Sequence, residues 1–224
     1  ISFAPGAYIP ARTLSDAEVD EGVLAIIRSR SSFVAYHAPQ VVLMNTENPK
    51  PVRDIRKARR ASLALVGTLG QYFDIVYGQK ALHNKESLLP GASLVISSSG
   101  MDNGCYGFFD FADILKPPFV TVPSTGSIGI AHVQELPCGV TDDCLLLAPK
   151  DGVPHAMLYV AAAVVRNEAW RFSYGRKATP DRIAYFPLPM NEAMVRRIDE
   201  YLTRADRVEK ILLDDAEDAI DSRI

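Results

Sequence analysis

A chain of 224 residues, 48% hydrophobic and 23% charged, is long enough to bury one good core, or a core with an appendage. Its net charge of −3 excludes a uniformly basic nucleic-acid binder. The three cysteines, Cys105, Cys138 and Cys144, form no C-x-x-C pair and exclude both a disulfide framework and a zinc knuckle.

No apolar run approaches the ~20 residues needed to cross a bilayer, and Ile1-Ser2-Phe3-Ala4-Pro5, neither basic nor long enough, is not expected to act as a signal peptide. A reducing, cytoplasmic setting with no membrane contact is expected. The chain opens on Ile1 rather than Met, which is read as a truncated or processed chain. The acidity is uneven: residues 191–224 hold ten acidic and six basic residues, leaving 17 acidic and 18 basic before them. A near-neutral body can still carry a basic face.

In chain order, Ser15-Asp16-Ala17-Glu18 is a capping box, and Val19, Val23, Ile26 and Ile27 follow at helical spacing until Ser31-Ser32. The proline-broken stretch Pro39–Pro51 is expected to hold a short Val41–Leu43 strand. Arg53–Leu69 reads as a second helix, basic in its first half. The period then becomes strand-like, with runs at Phe73–Tyr77, Ser93–Ser97, Cys105–Phe111, Phe119–Val122, Ile128–Val133 and Cys144–Leu147 separated by turn residues.

Pro154–Asn167 is rich in Ala, Val, Leu and Met and predicts a buried helix across the sheet. Pro187-Leu188-Pro189 is expected to end the globular part, because paired prolines deny helix and ladder bonding. Asn191 can cap a last helix whose stripe of Val195, Ile198, Leu202, Ala205, Val208, Leu212 and Ala216 calls for a partner face.

Four loops carry hydrogen-bonding or cationic side chains. Tyr77-Gly78-Gln79-Lys80 joins an aromatic, a glycine and a cation. Ser97–Gly104 offers Ser98, Ser99, Asp102 and Asn103, although a plain hairpin connection explains it as well. In Thr121–Gly129, Ser124, Thr125 and Ser127 lie among glycines that let a backbone approach a phosphate or base, but no Gly-Lys-Ser/Thr of a P-loop follows.

In Trp170–Arg182, Arg171, Arg176, Lys177 and Arg182 alternate with Phe172 and Tyr174, the side chains that grip phosphates and read base edges. A solvated loop closing on Asp142 is the rival reading. Asp142-Asp143 near His132 or His155 has no metal-site spacing and is expected to cap a turn or orient an arginine. No metal, cofactor or catalytic residue is expected.

Taken in order, these residues resemble the target recognition domain of type I restriction-modification specificity subunits, or the equivalent segment of fused adenine-specific DNA methyltransferases. The similarity runs from Tyr77-Gly78 through Leu89-Pro90-Gly91, Asn103-Gly104, Gly126-Ser127-Ile128-Gly129 and Thr141-Asp142-Asp143 to Tyr174-Gly175-Arg176-Lys177 and Phe186–Pro189. It implies an α+β (mixed α/β) fold, with a small twisted sheet, flanking helices and a long spacer helix. The implied division is an N-terminal helical region or linker at 1–72, a recognition domain at 73–189 and a C-terminal helix at 190–224.

It further implies recognition of double-stranded DNA, assembly with a DNA methyltransferase (modification) subunit or domain, and a helix-mediated dimer. Room for one recognition domain, where the family's subunits carry two, is a departure. Lys116-Pro117-Pro118-Phe119 lacks the amide or carboxylate that an adenine methyltransferase places before its prolines, so no catalysis is expected. A fragment of a fused enzyme, or a protein-interaction module working through its long helix, are the alternatives.

Overall fold

The computed structural model describes residues 11–46, 50–55, 66–84, 87–173 and 175–222. The described chain is α+β, with two small sheets, flanking helices and a long C-terminal helix. Its helices are α1 (Asp16–Thr46), α2 (Leu69–Tyr72), α3 (Ala156–Asn167), α4 (Pro180–Ala184) and α5 (Glu192–Asp221). The strands are β1 (Val52–Arg53), β2 (Phe73–Tyr77), β3 (Pro90–Ile96), β4 (Cys105–Phe109), β5 (Ile114–Leu115), β6 (Phe119–Pro123), β7 (His132–Gln134), β8 (Cys138–Val140) and β9 (Cys144–Pro149). A five-stranded mixed sheet has the order β1-β5-β8-β3-β4, and a four-stranded antiparallel sheet the order β2-β9-β6-β7.

The apolar run Cys144-Leu145-Leu146-Leu147-Ala148 places β9 in the middle of the molecule. Alternate residues point to opposite faces of a strand, so Leu145 and Leu147 join one core while Cys144, Leu146 and Ala148 join another. The second core lies between the sheets, against Leu94 and Ile96 of β3 and Cys138 and Val140 of β8. The first is filled by α3, buried without interruption from Ala156 to Val165, as its all-round apolar sequence requires.

The Ser15 capping box forms: the Glu18 carboxylate accepts from the Ser15 N–H at 3.0 Å, and the Ser15 hydroxyl accepts from the Glu18 N–H at 3.5 Å. The helix does not stop at Ser31-Ser32, and residues 41–43 are not a strand. α1 runs on to Thr46 through a kink at His37, two residues before Pro39, which can neither donate a hydrogen bond nor clear the preceding turn. Burial of Phe33, Val34 and Val41 in the second core outweighs those stop signals.

The expected helix at Arg53–Leu69 is corrected at both ends. Arg53 lies in β1, paired with β5, and Leu69 opens the four-residue α2, whereas residues 56–65 lie outside the described residues. The expected strand Ile128–Val133 shrinks to β7, because residues 126–131 bond locally in turns. Pro187–Pro189 does interrupt regular structure, but it is packed: Leu188 is buried and its N–H donates to the Gly67 carbonyl at 2.9 Å.

α5 begins where its cap predicts, with Asn191 Oδ1 accepting from the Met194 N–H at 2.8 Å. Its buried stripe is Met194, Ile198, Leu202 and Ala205, while Val208 from the expected stripe is exposed. The partner face is α1, running in the same direction: Arg197 meets Asp20 near their starts, and Arg30 meets Asp206 and Glu209 further along. Among the described residues, no helix is long and apolar enough to cross a membrane.

Candidate nucleic-acid interface

β2, β3, β6 and β8 all end at the same side of the two sheets. β3 and β8 are parallel, and β2 and β6 both run antiparallel to β9, whose first residue Cys144 follows the loop after β8. The four strand ends therefore deliver residues 78–83, 97–104, 124–131 and 141–143 to one rim. α3 ends beside them, because Gly129 packs against Ala169 and Phe172 in the turn that follows it; a Cβ added at Gly129 would lie 2.9 Å from the Ala169 Cβ. Three of the loops singled out by sequence thus share one edge, and the start of the fourth, residues 169–172, packs beside it.

Backbone contact welds these loops to one another. The Ser127 N–H donates to the Ser98 carbonyl at 3.1 Å, and Gly126 adopts φ +59° where a Cβ would meet that carbonyl at 2.7 Å. Gly78 passes so close to the 140–141 segment that a Cβ there would lie 2.1 Å from the Thr141 carbonyl oxygen. Only glycine fits either position.

Several sequence-selected side chains are engaged in building the rim. Gln79 is buried: its N–H donates to the Val140 carbonyl at 2.7 Å, its Oε1 accepts from the Val140 N–H at 2.8 Å, and its amide donates to the Asp113 carbonyl. Ser124 is also buried and donates through both N–H and hydroxyl to the Asp143 carbonyl, each at 2.8 Å. Asn103 is buried with its amide donating to the Val133 carbonyl at 3.2 Å. Thr125 is half-buried and donates to the Asp143 carboxylate at 3.1 Å. The Ser99 hydroxyl closes a local turn with Met101, and Asp102 faces His37 of α1 at 2.8 Å.

His132 sits under the Ser98-Ser99 turn and pins it. Burial and the neighbouring Arg166 push its imidazole down to about 4, so it is neutral at ordinary pH. A neutral ring has one donor and one acceptor: Nδ1 accepts from Arg166 Nη2 at 3.1 Å, leaving Nε2–H to donate to the Ser99 carbonyl at 3.2 Å. Sequence offered His132 only as an unlikely metal ligand, and its partners lie 33 and 34 residues away.

The outward-facing groups are a different set. Tyr77, Lys80, Arg176, Lys177 and Arg182 are exposed, Ser98 and Ser127 are half-buried, and Tyr174 lies outside the described residues. Arg171 is held by Glu168 and stacks over the Trp170 ring at 4.7 Å, leaving the indole 65% exposed. A cleft of roughly 220 Å³ is lined by Arg171, Phe172, Arg176, Asp181, Arg182 and Tyr185, combining arginine forks with aromatic walls. His83, which no local sequence signal marks, is exposed on the same rim with Nδ1 2.7 Å from Asp142 Oδ1. Asp142 and Asp143 tie their loop to its neighbours through His83, Thr125 and Ser124, and none of these contacts is to an arginine.

No family model and no curated protein matches the chain. Among solved structures it is similar to the HsdS subunit from Thermoanaerobacter tengcongensis, with 16% identity and a TM-score of 0.41 over 92% of this chain and 56% of that one. It is also similar to a type I restriction-modification S subunit from M. genitalium, with 14% identity and a TM-score of 0.42 over 90% of this chain and 56% of that one. A chain from a structure on the assembly and conformational transition of the type I restriction-modification system gives 16%, 0.42, 90% and 54% in the same order. The chain spans about half the length of these proteins.

Proposed function

We propose that the chain is a sequence-specific DNA recognition module, the specificity component of a restriction-modification methyltransferase system. The observation that carries this reading is the convergence of four separated loops on one rim where Tyr77 and Lys80 are exposed, with the cleft of Arg171, Arg176 and Arg182 opening from the segment that packs beside Gly129. Their chemistry suits a duplex, because cations neutralise phosphates while arginine forks and amphipathic rings contact base edges. Gln79, Ser124 and Asn103 belong to the scaffold of that surface, and the readout falls to the cations and aromatics around them.

The module works without catalysis of its own and presents the target to a methyltransferase subunit or domain. The α1–α5 pair is the arm for that assembly or for a second copy, since Val208 and Ile211 remain exposed on α5 after α1 is in place. The test is selection from a randomised duplex pool by the chain together with its methyltransferase partner. Enrichment of one sequence, lost on combined Lys80→Ala and Arg176→Ala substitution, is the expected result. No enrichment by the complex overturns the reading.

A further inference from the structure

We propose that His37, Asp102 and Cys105 form a binding site for a thiophilic divalent cation of the zinc class. The three lie on separate parts of the fold, His37 at the kink of α1 and Asp102 and Cys105 where the chain enters β4. His37 Nε2 is 2.8 Å from Asp102 Oδ2, and the imidazole nitrogen, carboxylate oxygen and thiol sulfur all lie within 4.8 Å of one another. Zinc bonds of about 2.0–2.3 Å in a tetrahedron set their donors roughly 3.3–3.8 Å apart, so small side-chain rotations close this set on an ion. Three protein donors leave a fourth position for water.

The surroundings favour coordination. The His37 side chain is only 15% exposed, and the rings of Phe33, Tyr36 and Phe108 stand 4.7 to 5.5 Å from it, an apolar shell that fixes the imidazole. Metal binding would form the sulfur–metal bond as the Cys105 thiol proton leaves to water. The second three-residue set, His83, Asp142 and Asp143, lacks a thiol, and its histidine is mostly exposed. An ion at His37 would clamp α1 to the loop that carries Ser98 and Ser99, whatever that loop recognises.

The test is titration of the purified chain with Co²⁺ alone, followed by competition with Zn²⁺. One equivalent of Co²⁺ should give a thiolate-to-cobalt absorption in the near ultraviolet that Zn²⁺ abolishes. Cys105→Ser should remove the band, Asp102→Asn should weaken binding about 10-fold or more, and His83→Ala should change nothing. The proposal is overturned if the unaltered chain gives no thiolate band, if the band survives Cys105→Ser, or if it depends on His83. The first of these outcomes requires no variant to fold.

Discussion

The loop rim and the two-helix arm are built on opposite principles. In the rim, loops are fixed by hydrogen bonds to main-chain carbonyls and by glycines that let backbones touch. The arm instead joins an apolar stripe to a cluster of charges: Arg30 donates to Glu209 at 2.9 Å, to Asp206 at 2.6 Å and to Tyr159, whose hydroxyl donates to Glu135 at 2.8 Å. The rim can thus exchange its outward side chains without moving its frame. In the arm, recognition between helices and stability are the same contacts.

The largest expected effect lies in the arm. Arg30→Ala removes the cation from the buried Glu209 carboxylate and leaves it the Ser31 hydroxyl, and should destabilise the chain by about 3–5 kcal/mol in urea unfolding. Arg30→Met combined with Glu209→Leu should recover most of that loss, because an apolar pair of similar volume removes both desolvation penalties. Equal loss in the double variant would mean that the cluster stabilises through its geometry rather than by mutual neutralisation.

In the rim the frame, not the outward groups, controls stability. Gly78→Ala forces a methyl into the Thr141 carbonyl and should destabilise by about 3 kcal/mol. Arg176→Ala touches no frame contact; its unfolding midpoint should stay put while duplex affinity falls by about 1–3 kcal/mol if its fork reads a guanine edge. Affinity and sequence preference both unchanged at low salt would remove Arg176 from the reading surface. The two substitutions thereby separate frame from readout.

The same contrast decides what could be read in the sequence. α5 was legible because a cap and a long stripe at steps of three and four are local signals, and β2 because its alternation is bounded by turns. The continuation of α1 past Pro39 was not, because its cause is the burial of Phe33 and Val41 against strands far along the chain. β1, β5 and β8 are two or three residues long, too short for any period to show. In the rim the loops were legible as loops, but the division of labour among them was not. Gln79 and Lys80 are neighbours of equal polarity, and only the approach of Val140 and Asp113 makes one scaffold and leaves the other exposed.

The smallest expected effect joins the arm to the body and appears only as a pH dependence. His155 Nε2 lies 2.7 Å from Glu135 Oε1, and that hydrogen bond raises the imidazole above its ordinary value, against partial burial and the nearby charge of Arg30. Burial alone would raise the Glu135 carboxyl, but the bonds from His155 and Tyr159 and the charge of Arg30 hold it below the usual carboxylate range. A histidine raised in the folded state stabilises fully below its unfolded value of about 6.5, and that contribution fades as pH rises through the folded value. His155→Ala should therefore lower the thermal midpoint more near pH 6 than near pH 9. Because the imidazole is 42% exposed, solvent screening keeps the difference small. A midpoint difference that is the same at both pH values would mean that His155 acts through its edge-on packing against Tyr159, which does not depend on its charge.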